Sequence, residues 1–296
     1  MEKFEIGKLN NKELEKSYND ALKNEDFKNY VNKIKLPATT LMKYTSILES
    51  SCMEYTNCKK CKNILECKNK VCGYAYLPRI QEDELVFSYK PCKYKEKMEN
   101  ETKHLKNIYM LGVNNYITDA CIENIYKEDK NRHETIKWIL NFLKTYEKDK
   151  NQKGLYLSGS FGCGKTYLIS ALFNELAKKG FKSSIIFWPE FLRDLKASFD
   201  YDFREKFEII KTTPILLIDD IGSEVVTPWS RDEILCTILQ YRMQEHLPTF
   251  FTTNFNKNEL EKHLSNGNDE LKSKRIMERI NQLTDSIEMI SDNLRK

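Results

Sequence analysis

Eight residues limit what this chain can fold into more than any others: Gly159-Ser160-Phe161-Gly162-Cys163-Gly164-Lys165-Thr166, a complete G-x-x-x-x-G-K-[ST] string. An apolar run over 154–158 precedes the string, and an amphipathic pattern over 165–179 follows it. Strand, glycine-rich turn and helix in that order aim several backbone N–H groups at one phosphate. The helix N-terminus adds partial positive charge at the same point. Lys165 is then placed to neutralise β and γ phosphates, and Thr166 to hold Mg²⁺ through its hydroxyl.

From residue 107 onward, runs of strand and helix character alternate, the pattern of a parallel α/β sheet. Strands are expected at 154–158, 183–187, 215–218, 249–253 and 286–290. Helices are expected at 132–146, 165–179, 190–199, 230–245 and 271–283, with another beginning at Asn258. The apolar run 215–218 ends in Asp219 and Asp220. Carboxylates at the carboxyl end of a central strand face the same crevice as the phosphate loop. Asp219 suits a Mg²⁺ ligand and Asp220 a base polarising the attacking water. Asn254, at the end of another strand, can donate and accept at once and so orient that water. Arg275 and Arg279 stand four apart on one helix face. They suit either a solvated face with Glu278 as a local partner or an arginine presented to a neighbour's γ-phosphate. Only residues 291–296 follow the last expected strand, so no helical lid is expected after the sheet.

The first third of the chain is different in kind. Of nine cysteines, those at 52, 58, 61, 67, 72 and 92 fall in one window. The start of the chain is too charged for a signal peptide, and no run is apolar for the length of a membrane span. A cytoplasmic protein is expected, in a compartment where clustered thiols point to metal rather than disulfide. Cys58 and Cys61 form a C-x₂-C pair on what reads as a tight loop; Cys67 and Cys92 complete a four-thiolate set suited to structural Zn²⁺, with Cys72 in reserve. Free thiols or an iron–sulfur cluster are the alternatives. Helical spacing fills most of residues 1–50, and Cys52 reads as a bystander at a helix end. The charged stretch 93–106 offers no apolar face. Residues 1–95 therefore form one small, mostly helical domain, 96–106 a linker and 107–296 the α/β domain. Lys+Arg 48 against Asp+Glu 44 excludes an overtly basic nucleic-acid binder. Residues 1–106 nevertheless hold 21 basic and 16 acidic side chains, so the small domain carries the excess.

Longer strings carry a family resemblance. The phosphate loop, Leu217-Ile218-Asp219-Asp220-Ile221-Gly222-Ser223-Glu224, Trp229-Ser230-Arg231-Asp232, Ile238-Leu239-Gln240-Tyr241-Arg242, Leu247 to Phe255 and Arg275-Ile276-Met277-Glu278-Arg279-Ile280 resemble the AAA+ helicase loaders of bacterial replication. The resemblance covers most of 107–296, and the cysteine-bearing domain resembles the loaders' helicase-binding domain. It implies an ATP-dependent, cytoplasmic switch that binds the replicative helicase hexamer and helps place it on single-stranded DNA, alongside other primosome proteins and through self-association of ATPase domains. Lys165 and Thr166 fall in the first nucleotide motif of the P-loop, Asp219 and Asp220 in the second, and Asn254 is the first sensor. Arg275 and Arg279 fall where the family carries its arginine finger, with Arg279 the choice. Asp220 stands where AAA+ proteins often carry Glu, which suits slow, switch-like hydrolysis. Related zinc sites use a His ligand, and none lies between Cys58 and Cys92. The runner-up is a transposition-helper ATPase acting on duplex DNA, which shares the core motifs but has no need of the cysteine domain.

Overall fold

The computed structural model describes residues 11–82, 84–113, 117–198, 200–267 and 269–294. The charged N-terminal ten residues, Phe199 at the expected end of one helix, and the last two residues lie outside these. The chain divides into two units, Met1–Thr102 and Lys103–Lys296.

In the first unit, short helices are held by a shared apolar surface rather than by length, as helices of so few turns must be. They are α1 (Asn11–Ala21), α2 (Glu25–Val31), α3 (Ala38–Leu41) and α4 (Thr45–Lys60). Asn24 caps α2, accepting from the Asp26 and Phe27 N–H groups at 2.9 and 3.2 Å. Tyr18, Phe27, Val31, Leu41, Leu48 and Cys52 form the core, so Cys52 is a buried mid-helix residue and not a helix-end bystander. A hairpin follows, β1 (Tyr74–Gln81) and β2 (Glu84–Pro91), paired antiparallel. Of the two, only β2 reads as a strand in the sequence, over Glu84-Leu85-Val86-Phe87-Ser88-Tyr89. Buried Glu54 of α4 accepts the Tyr76 N–H at 2.7 Å, and Ser51 donates to the Tyr76 carbonyl at 2.6 Å, which fixes α4 against β1. The stretch expected to be a linker is largely helical: α5 spans Lys93–Thr102. It buries none of its residues, and Lys95–Glu99 and Lys97–Glu101 pairs at 3.9 and 3.8 Å support it on a helical surface.

The second unit is built on one six-stranded sheet in the order β3-β5-β6-β7-β4-β8, with every neighbouring pair parallel. Its strands are β3 (Ile108–Leu111), β4 (Gly154–Gly159), β5 (Ser183–Phe187), β6 (Ile215–Asp219), β7 (Thr249–Thr252) and β8 (Thr284–Met289). The central strands read as continuous apolar runs because both faces are covered. Alternation then sorts their side chains: Leu155, Leu157, Leu217 and Phe250 enter one core, while Tyr156, Leu216, Ile218 and Phe251 enter the other. α6 (His133–Thr145) and α7 (Lys165–Lys178) pack on the first face. α8 (Trp188–Ala197), α10 (Cys236–Gln244), α11 (Lys257–Ser265) and α12 (Glu270–Leu283) pack on the second.

Three features depart from expectation. The edge strand β3 is not anticipated, and neither is helix α9 (Asp200–Thr212). The expected helix at 230–245 opens with a π-helical segment, Trp229–Leu235, before α10 begins. The described residues after β8, 290–294, have no regular structure. Among the described residues no helix is long and apolar enough to cross a membrane.

Candidate nucleotide-binding site

The phosphate loop leaves the carboxyl end of β4 and enters α7 at Lys165. Gly164 takes the N-cap position in a left-handed conformation, φ 88°, which a side chain would resist. Lys165 lies buried across the loop, its Nζ donating to the Gly159 carbonyl at 3.0 Å, the Ser160 carbonyl at 2.8 Å and Asn254 Oδ1 at 2.8 Å. Asn254 follows β7, the strand between β6 and β4 in the sheet. Sheet order therefore brings the loop lysine and a residue 89 positions away into direct contact.

The acidic pair stands at the end of β6. Asp219 is buried, and Oδ1 accepts from Thr166 Oγ1 at 2.6 Å and Thr252 Oγ1 at 2.5 Å. Burial pushes its carboxyl above the usual aspartate range, and the two hydroxyls oppose that shift. A buried carboxylate touching the loop threonine is where a divalent cation would be held between protein and phosphate. Asp220 adopts a positive φ of 59°, and its N–H donates to the same Thr252 hydroxyl at 3.0 Å. One threonine thus orients both acidic residues. A cleft of about 1040 Å³ opens over these groups. It is lined by Phe161, Gly162, Gly164, Lys165, Thr166, Asp219, Asp220, Thr252 and Asn254, and also by Val113, Ile117, Tyr126, Arg132 and Leu294. Thr252 and these last five lining residues are not singled out by the sequence. A threonine in a buried strand among phenylalanines is the one available hint.

Arg275 and Arg279 lie on α12 and do not line this cleft. Arg275 is exposed; Arg279 donates from Nε to Gln240 Oε1 at 2.8 Å and from Nη1 to Cys236 Sγ at 3.3 Å. Buried Arg231 in the π segment pairs with Asp232 and with Asp269, each at 2.6 Å, and Lys272 reaches Asp232 at 2.6 Å. This network ties the π segment to the start of α12.

The cysteine window needs correction. Cys58 is in the last turn of α4 and Cys61 is its C-cap, so the pair ends a helix instead of sitting on a tight loop. Cys58, Cys61, Cys67 and Cys92 do line one cavity of about 270 Å³, and Cys72 does not. The expected tetrahedral site is not assembled: among the described residues no group of three or more Cys, His, Asp or Glu side chains is placed to hold a metal ion. Three of the four thiols are instead turned to local partners. Cys61 Sγ donates to the Asn63 carbonyl at 2.9 Å. Cys58 Sγ accepts from Asn69 and Cys67 Sγ from the Gly73 N–H, both at 3.3 Å. The Gly73 donor holds the Cys67 thiol below its usual range, while burial pushes Cys58 up. Four sulfurs around one cavity with N–H donors to two of them remain a donor set that suits zinc chemically.

Residues 155–255, from β4 past β7, match the model of the ATPase family associated with various cellular activities (AAA). Along almost its whole length the chain is similar to the replicative helicase loader DnaI of Bacillus subtilis (strain 168): 34% identity over 295 residues, covering 96% of this chain and 94% of that protein. A crystal structure of DnaI is 41% identical, with a TM-score of 0.59, over 65% of this chain and 100% of that one. A solved structure from Streptococcus pyogenes serotype M3 is 34% identical, with a TM-score of 0.56, over 65% of this chain and 97% of that one. With a nucleotide site of this class assembled in its second unit and similarity that runs through both units, the chain belongs to the DnaI family of replicative helicase loaders.

Proposed function

We propose that this chain grips the replicative helicase hexamer through its first unit and uses ATP-dependent contacts between copies of its second unit to place that ring on single-stranded DNA. The assembled cleft supports the ATP part of this reading: Lys165 meets Asn254, and Thr166 meets Asp219, across the strand ends of an AAA domain. Lys165 and the loop N–H groups bind the phosphates, Asp219 and Thr166 hold Mg²⁺, and Asp220 and Asn254 act on the attacking water. Asp is one methylene shorter than Glu, which fits slow turnover suited to a timing switch. That neither Arg275 nor Arg279 lines its own cleft favours a role toward a neighbouring copy's γ-phosphate. Arg275, being exposed, is the freer of the two.

Similarity to a helicase loader over 96% of the chain supports the helicase as partner and favours this reading over a transposition helper. DNA would meet the second unit through its backbone phosphates and stacked bases, with contacts to other primosome proteins made in the same assembly. Zinc, held by Cys58, Cys61, Cys67 and Cys92, would serve the first unit's fold and take no part in the chemistry. Metal analysis is expected to find one zinc per chain, and chelation to melt the first unit.

The deciding measurement is the native mass of the chain mixed with the replicative helicase, with and without ATP. A complex is expected, with nucleotide altering its composition or lifetime. No complex under either condition refutes the proposal. Preferential binding of duplex over single-stranded DNA would instead support the transposition helper.

A further inference from the structure

The phosphate loop is held from outside as well as from within. Beyond β8 the chain runs as a strap along the loop. The Met289 carbonyl accepts the Ser160 N–H at 3.3 Å, and the Leu294 N–H donates to the Gly162 carbonyl at 3.0 Å. The strap lies so close that a methyl group on Gly162 would sit 2.0 Å from Asn293 Oδ1. A second anchor, Arg132, is only 1% exposed. Its Nε donates to the Tyr126 carbonyl at 3.1 Å and its Nη1 to the Cys163 carbonyl. The two anchors are themselves joined, because the Ser291 hydroxyl donates to Asp129, three residues before Arg132.

These contacts have a geometric consequence. In a planar trans peptide the C=O and N–H point in opposite directions. The Gly162 carbonyl shares its peptide with the Cys163 N–H, and the Cys163 carbonyl shares its peptide with the Gly164 N–H. With both carbonyls held by Leu294 and Arg132, the Cys163 and Gly164 N–H groups point the opposite way, away from these two anchors. Among the described residues neither N–H is taken by a backbone carbonyl.

We propose that the strap 290–294 and Arg132 are positioning elements for phosphate: by anchoring the Gly162 and Cys163 carbonyls they aim the Cys163 and Gly164 N–H groups at the nucleotide and so set its affinity. This rests on reading the cleft as an ATP site. Fixed dipoles that need no rearrangement on binding bind an anion better than the same dipoles in a loose loop. Lys165 supplies charge from inside the loop, and the outer anchors supply orientation.

The strap contact is made by a backbone N–H, so proline is the informative substitution. Leu294→Pro and Leu294→Ala both lose the leucine side chain that faces the cleft, but only proline loses the donor. Titrating the full-length chain with fluorescent ADP and ATP in Mg²⁺, we expect Leu294→Pro to bind about fivefold more weakly than Leu294→Ala, the scale of one hydrogen bond. The loss is expected to be equal for ADP and ATP and absent for adenosine, with the same melting temperature for both variants without nucleotide. Equal ADP affinities for the two variants overturn the proposal, as does a loss that extends equally to adenosine. The second anchor is tested independently, with Arg132→Lys expected to retain much of the phosphate affinity that Arg132→Met loses; wild-type affinity in Arg132→Met overturns its part. Failure of the unmodified chain to bind ADP or ATP at all would instead remove the ATP reading of the cleft.

Discussion

Asp219 and Asp220 are adjacent in the chain and differ in almost every physical respect. Asp219 is buried under two hydroxyls, while Asp220 turns out of the strand with a positive φ. Thr252 serves both, donating to one and accepting from the backbone of the other. Thr252→Val keeps the shape and removes both bonds. It is expected to cost about 1–3 kcal/mol in urea unfolding, because a buried acceptor and a donor lose their partner together. Mg²⁺-dependent nucleotide affinity should fall with it. The residues proposed to contact phosphate, metal and water stand in short local strings, so Lys165, Thr166, Asp219, Asp220 and Asn254 are all identifiable before folding. Thr252 is not, since its role comes from the pairing of β6 with β7. The thiols show the converse. Residue type and spacing pick out four cysteines that do share a cavity, yet spacing says nothing of where each sulfur points.

At the level of elements, long periodic helices and continuous apolar strands follow closely from pattern. Two of the misses are short or polar, β3 with four residues and α9 with a charged surface; another, β1, has eight residues and carries Pro78 in its run. The π segment Trp229–Leu235 reads as ordinary helix in the sequence, and the contacts of its Arg231 with Asp269 and the Leu264 carbonyl are long-range ones that no local pattern shows. The Arg231 guanidinium beside Asp232, with Lys272, holds that carboxyl down at about 2. A lowered aspartate stabilises the fold above its unfolded pKa, near 3.8, and that stability is lost as pH falls through about 2. Asp232→Asn is therefore expected to be about 2 kcal/mol less stable at neutral pH. The gap should close between pH 4 and 2 when unfolding is followed by circular dichroism. His263 behaves in the opposite sense. The Glu224 carboxylate 3.7 Å away raises it, so its contribution is complete below pH 6.5 and fades as pH rises past its folded value. His263→Gln should flatten stability against pH above 6.5.

The whole molecule has two units and, on the proposed reading, two separable jobs. Lys165→Ala is expected to weaken ATP binding by at least about tenfold, since a charge-assisted contact to phosphate is lost. Its helicase complex should survive in native mass measurements through the first unit. Cys58→Ser is expected to lose that complex and keep ATP binding in the second. A lysine variant that loads helicase normally would contradict the mechanism. The division of the chain into a cysteine-bearing unit and a parallel α/β unit, and the loop-and-carboxylate chemistry of the latter, are written in local strings and periodicities that any reader of the chain can find. These depend on neighbours a few residues apart. What folding alone supplies is contact between distant positions: Lys165 with Asn254, Asp219 with Thr252, Gly162 with Leu294, Cys163 with Arg132. Strand order sets the first two meetings, and the segments after β8 and before α6 make the other two; no local pattern encodes any of them. On the proposed reading, the loop's affinity for phosphate belongs to the sheet and strap around it as much as to the eight residues that announce it.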